Sequence, residues 1–208
     1  MPARVATLRP RDVSSEATRR AILDAAGELL ASGGEAGLSI REVCARAGVT
    51  PPTVYHHFGD KAALVDRIVE DCFTDFDQAA ATRTPPADSV EALRWAADGY
   101  LRYGVAHPTH YRLMFQQRPA RSSPAGLASY DRLRRLVATI AAAGRLVPPI
   151  EDATAALWCT LHGVTSLVIA GFLEPDAPSV ALVRDAMISQ LTRPPDTKRA
   201  RARKGRRR

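Results

Sequence analysis

Apolar positions recur every three or four residues over almost the whole chain. Ala21, Ile22, Ala25, Ala26, Leu29 and Leu30 predict a helix over 15–33, with Ser15 as its cap and Gly33-Gly34 as its end. Ile40, Val43, Cys44 and Ala47 predict a short second helix behind the cap residue Ser39, stopped by Gly48. Thr50 and Pro51 then open a third, since a proline in the first helical position forfeits no hydrogen bond. Asp60 caps a fourth from Lys61 to about Ala81, with Leu64, Ile68, Cys72 and Phe76 on one side. After the break at Pro85-Pro86, residues 88–106 carry Val90, Leu93, Trp95, Ala97, Tyr100, Leu101 and Val105 at helical spacing. A short helix follows from Pro108, holding Tyr111, Leu113, Met114 and Phe115 and ended by Pro119. Three more helices are expected, over 124–143, 150–173 and 178–192. Neither period-two alternation nor an internal repeat occurs, so the expected fold is all-α with about nine helices.

The stretch from Ala153 to Leu173 holds no charge and is long enough to cross a bilayer. At 100° per residue it nevertheless sorts into faces. Ala156, Thr160, Gly163, Ser166 and Ala170 form a stripe of small residues; Leu157, Leu161, Val164 and Val168 form an aliphatic one; Trp158, His162, Thr165, Ile169 and Phe172 form a third. Sorting of this kind is needed by a helix packed on all sides and not by one facing lipid. A helix packed within protein, and no membrane partner, is the expectation.

Residues 37–61, GLSIREVCARAGVTPPTVYHHFGDK, pack two short helices and the start of a third around a glycine turn. The second of these is too short and too polar for a core helix, and its width suits the DNA major groove. Pro52 lacks an N–H, which leaves the Thr50 side chain only the N–H of Thr53 to cap. Two prolines also stiffen the end that would approach the bases and lower the ordering cost on binding.

This segment resembles the DNA-binding domain of TetR-type (tetracycline-repressor-like) bacterial regulators. Gly37, Ile40, Val43, Ala47, Gly48, Val49, Thr53, Tyr55, Phe58 and Lys61 carry the resemblance. It implies a three-helix helix-turn-helix domain followed by a helical ligand-binding and dimerisation domain. It also implies contact with double-stranded DNA at Arg41, Pro51, Pro52, Thr53, Tyr55, His56, His57 and Lys61, with the helix-end residues Ser39 and Thr50 completing the candidate set. Arg41 can pair with phosphate or read guanine, and Lys61 near a helix N-terminus suits a phosphate. Further along, Trp158-x-x-x-His162-Gly163 and His107-Pro108-x-x-Tyr111-x-x-Met114-Phe115 are similar to the Trp–His–Gly subgroup of C-terminal domains.

Aromatic residues with polar tips suit an apolar or aromatic effector. The candidate lining is Trp95, Tyr100, Tyr103, His110, Tyr111, Phe115, Trp158, His162 and Phe172. The small stripe and the last helix suggest a two-fold interface through Ala156, Thr160, Gly163, Ala170, Val183, Met187 and Leu191, closing a four-helix bundle as the resembling family does. His107, His110 and His162 lack a cysteine or carboxylate at ligand spacing, so neither a metal nor any other cofactor is expected. No Gly-x-Ser-x-Gly, P-loop, dinucleotide fingerprint or paired-carboxylate arrangement is present, and no catalytic residue is named.

Charge refines this picture. The net charge is +7, but residues 198–208 alone hold eight cations and no acid, so the body is near neutral. Residues 1–61 hold eight Lys/Arg against seven Asp/Glu. The expected organisation is a flexible arm over 1–14, the helix-turn-helix domain over 15–60, the ligand-binding and dimerisation domain over 61–192, and a disordered basic tail over 193–208. Cys44, Cys72 and Cys159 form no disulfide framework, and no secretion signal is visible, so a cytoplasmic location is expected. The function expected is a ligand-responsive repressor acting as a homodimer on a near-palindromic operator. The alternatives are an activator, or an architectural DNA binder that works through the tail without a ligand.

Overall fold

The computed structural model describes residues 10–81, 84–116 and 123–194. Among them are nine helices and no strand: α1 Pro10–Gly37, α2 Ile40–Ala47, α3 Pro51–Phe58, α4 Lys61–Ala81, α5 Ser89–Ala106, α6 Pro108–Gln116, α7 Pro124–Ala142, α8 Ile150–Ile169 and α9 Pro178–Leu191. None is long and apolar enough to cross a membrane. The basic run over 198–208, the first nine residues of the expected arm and the stop at Pro119 lie outside the described residues.

Helix α1 differs most from its expected bounds. It starts five residues before Ser15, so the last five residues of the expected arm are helical. The break at Gly34 is real, with φ 61 and ψ −168, but helical turns resume to Gly37. Glycine adopts that geometry without the Cβ clash that other residues meet. The last helices run as expected, except that α8 ends at Ile169, where Ala170 and the left-handed Gly171 turn the chain.

The chain divides into two compact units. The first comprises residues up to Asp75 and the segment Thr109–Leu127, so it takes in α1–α3, most of α4, and α6. Its core holds Ile22, Leu30, Val43, Val54, Leu64, Val65, Leu113 and Met114, each at most 1–2% exposed. Glu70 of α4 accepts the Ala125 N–H at 2.9 Å, and Ser123 Oγ accepts the Gly126 N–H at 2.9 Å, so the start of α7 is capped by side chains.

The second unit comprises Phe76–Pro108 and the residues from Ala128 onward. Its core is Val90, Leu93, Val137, Ile140, Ala153, Leu157, Ile188 and Leu191, drawn from α5, α7, α8 and α9, with Ala156 and Met187 packed against it. Leu191 and Met187 therefore serve the fold of their own chain, although the sequence pattern suggests them for a two-fold interface. Asp88 caps α5 by accepting the N–H groups of Val90 and Glu91 at 2.9 and 3.1 Å. Those backbone donors, the Glu91 one foremost, hold its carboxyl below the usual range. Arg145 donates to Asp88 Oδ2 at 2.6 Å and to the Arg193 carbonyl at 3.0 Å. Around it Leu146 and Thr192 pair as an isolated antiparallel bridge, with Val147 N–H on the Leu191 carbonyl and Arg193 N–H on the Arg145 carbonyl.

Helices α5 and α9 are joined by charge. Arg184 binds Asp98 and Asp185, and Arg94 binds Asp185 at 3.0 Å and Glu91 at 2.6 Å. Held first by Arg184 and then by Arg94, the Asp185 carboxyl falls to about 2. A carboxylate with a lowered folded-state value contributes stability above its ordinary value near 4, and that contribution is lost as pH falls from there to about 2. Asp185→Asn should therefore melt below the parent protein at pH 6. The gap should close between pH 4 and pH 2 in a series of thermal melts.

Candidate nucleic-acid interface

The turn between α2 and α3 is set by Gly48. It takes φ 67 and ψ 32, and the N–H groups of Gly48 and Val49 both reach the Cys44 carbonyl. Val43 and Cys44 bury one side of α2, and Val54 buries α3 at 1% exposure. Burying a valine side chain is worth about 1.5–3 kcal/mol, so Val54 fixes which way α3 faces.

The rest of α3 follows from that one anchor. Pro51, Pro52, Tyr55 and His56 are exposed, Tyr55 at 48%, while Thr53, His57 and Phe58 are half-buried. Arg41 on α2 is exposed and Ser39 is half-buried. Phe58 packs under the Arg19 guanidinium, 5.6 Å from the ring centroid, and the His57 ring lies 6.2 Å from it. The candidate contact residues thus lie on α2, on α3, at their ends and, in Lys61, at the start of α4, and the exposed ones include both prolines, the tyrosine and one histidine.

Three expected details differ. Thr50 makes no side-chain cap; its hydroxyl meets the Thr53 hydroxyl at 3.0 Å, while the Thr53 N–H bonds the Thr50 carbonyl. Ser39 likewise makes no side-chain cap. Lys61 Nζ, expected beside a phosphate, donates to the Glu35 carbonyl at 2.9 Å and braces the start of α4 against the end of α1. Asp60 caps α4 as expected, accepting the Ala63 N–H at 2.7 Å.

The candidate effector residues separate into ring clusters. In the first unit Phe115 meets Phe73 edge-on at 5.7 Å and Tyr111 at 4.9 Å, and His110 Nδ1 lies 3.9 Å from Asp75. In the second, Tyr100 and Tyr103 stand edge-on to Phe76 at 5.5 and 5.1 Å, and Trp95 is half-buried. Trp158 lies 5.6 Å from Tyr130 and 6.4 Å from His162, whose burial lowers its basicity. Tyr130 and Phe76 are absent from the expected lining, because periodicity on one helix does not reveal the ring opposite. Phe172 lies past the end of α8, beyond the Gly171 turn, and is 78% exposed. A narrow cleft of the second unit, with room for about one water-sized sphere (≈ 10 Å³), is lined from α5, α8 and α9 and by none of these rings.

Residues 22–68 match the family described as bacterial regulatory proteins, tetR family, and residues 93–191 match the tetracyclin repressor-like C-terminal domain. The chain belongs to the TetR family. The helix-turn-helix transcriptional regulator UidR of Escherichia coli K12 is 32% identical over 84 residues, 40% of this chain and 41% of that relative. The chain thus spans well under half the length of the curated relatives it matches. A Rhodococcus sp. RHA1 protein of unknown function has the same fold, with a TM-score of 0.70 and 28% identity over 85% of this chain and 96% of its own. So does SmeT, the repressor of the Stenotrophomonas maltophilia multidrug efflux pump SmeDEF, at a TM-score of 0.64 and 22% identity over 88% and 96%.

In this TetR-type chain the Gly48 turn fixes the angle between α2 and α3. A Cβ there would meet nothing within 4 Å, so the cost of adding one is conformational alone. Gly48→Ala is expected to destabilise the protein by about 1 kcal/mol, read as a lower urea midpoint with an unchanged slope.

Proposed function

We propose that this chain is a transcriptional regulator that binds operator DNA through α3, acts as a homodimer and releases DNA in response to a small molecule, as a repressor does. The observation that carries the reading is the outward face of α3. A helix anchored by Val54 presents Pro51, Pro52, Tyr55 and His56 to solvent. A helix of this width enters the major groove, where Tyr55 and His56 can donate to phosphates, the proline rings can meet only apolar base edges, and Thr53 suits a thymine methyl. With cations and acids almost balanced over residues 1–61, affinity comes from placement and from two linked subunits more than from net charge.

The homodimer has its own support. On α8 and the segment just after it, Gly163, Leu167, Ala170 and Phe172 are exposed, and on α9 so are Leu182 and Val183, with Leu182 68% exposed. Exposed apolar side chains gathered on two helices of one unit suit an association surface. A second copy seated on it makes the interface isologous and the operator near-palindromic. The effector reading rests on the ring clusters of the second unit.

Operator binding tests the central claim. Tyr55→Ala should weaken binding to every operator variant by about tenfold, whereas Thr53 substitutions should shift preference at one base position. An unchanged affinity for Tyr55→Ala removes the docking. In sedimentation velocity, Leu182→Glu should shift a micromolar sample from dimer toward monomer, and a parent protein that is already monomeric removes the interface.

A further inference from the structure

The first two positions of α3 carry no backbone N–H, because both are proline. The next two N–H groups, of Thr53 and Val54, both reach the Thr50 carbonyl, at 3.0 and 3.3 Å. Over these four positions the backbone keeps no donor for a phosphate, although most helix starts offer several. No Lys, Arg, Asp or Glu occurs between Arg46 and Asp60. The Thr50 and Thr53 hydroxyls meet at 3.0 Å, so one of their two hydrogens is spent between them. Pro52 precedes Val54 by two residues and His56 follows it by two. At 100° per residue both stand nearly opposite that buried anchor, and both are exposed. The side of α3 farthest from its own core therefore begins with an apolar ring on a start that is poor in donors.

We propose that Pro52 is a specificity-determining residue, whose ring reads the C5-methyl group of one thymine in each operator half-site. The assignment rests on the operator-binding reading above. In the major groove guanine shows two acceptors, adenine an acceptor and a donor, and cytosine a donor; the thymine methyl is the apolar group there. A proline ring pressed against any of the polar edges displaces water and returns no hydrogen bond, which is costly. Against a methyl group it meets that cost at neither atom and buries apolar surface instead. The ring also has no side-chain rotamers to lose, and its backbone angle is already fixed, so little ordering opposes the contact. Discrimination at this position comes from shape and desolvation, and charge takes no part in it.

The test starts from a randomised DNA duplex library, from which the full chain selects its bound site. Each thymine of that site is then replaced, one position at a time and in both half-sites, by deoxyuridine, which pairs identically and lacks only the C5-methyl. At one position the replacement should weaken binding by about fourfold per half-site, the value of one buried carbon. This loss is read on the DNA side with the parent protein, so it does not depend on the folding of a variant. In Pro52→Ala the same replacement should bring the two affinities toward parity, because the ring that meets the methyl is gone. Equal affinity of the parent for every deoxyuridine site overturns the assignment. So does a loss in Pro52→Ala as large as in the parent, since another group then reads the methyl. In both cases a selected, bound site leaves the operator-binding reading standing. If the library yields no enriched sequence, the operator-binding reading itself falls, and this assignment with it.

Discussion

An eight-residue helix is too short to persist alone in water, so α3 exists only because something else holds it. Its hold is the burial of Val54, reached through a turn that Gly48 alone makes without strain. Pro51 sets the backbone angle of the first helical residue, and Gly59 closes the far end by donating to the Tyr55 carbonyl at 2.8 Å. With one buried side chain and two rigid ends, α3 has a single stable orientation. Its other side chains are thereby released from packing duty, and their chemistry is available for recognition.

Much of this is readable along the chain, because helix ends are local events. Prolines at 51, 108, 124 and 178 each open a helix, and Asp60 sits where the expected cap does. Gly34 is legible as a break and not as a kink with helix beyond it, since the residues after a glycine decide whether the helix resumes. Thr50 and Ser39 illustrate another limit. A residue type fit for capping says nothing of where its hydroxyl turns, and the Thr53 hydroxyl wins the Thr50 oxygen.

The site is less legible than the fold, for a physical reason. Periodicity assigns residues to faces of one helix but does not say which groups stand opposite. It assigns the aliphatic stripe of α8 to packing, and Leu157, Leu161 and Val168 are indeed buried. It gives Leu191 to a partner subunit, yet Leu191 packs with Ile188 in the core of its own unit. The Arg184–Asp98 and Arg94–Asp185 pairs join residues 86 and 91 positions apart, a separation that no short-range pattern encodes. Thr165 belongs to a stripe that reads as aromatic, and only the packed structure shows its hydroxyl buried without a hydrogen-bond partner among the described residues.

The end of α9 is secured by more than its own helical hydrogen bonds. Two main-chain hydrogen bonds on either side of the Leu146–Thr192 bridge, together with Arg145 spanning Asp88 and Arg193, fasten the last turn of α9 to the α7–α8 connection and to the cap of α5. A clasp of that kind has no halfway position. Helix α9 cannot slide by a fraction of a turn along α8 without breaking several directional bonds at once.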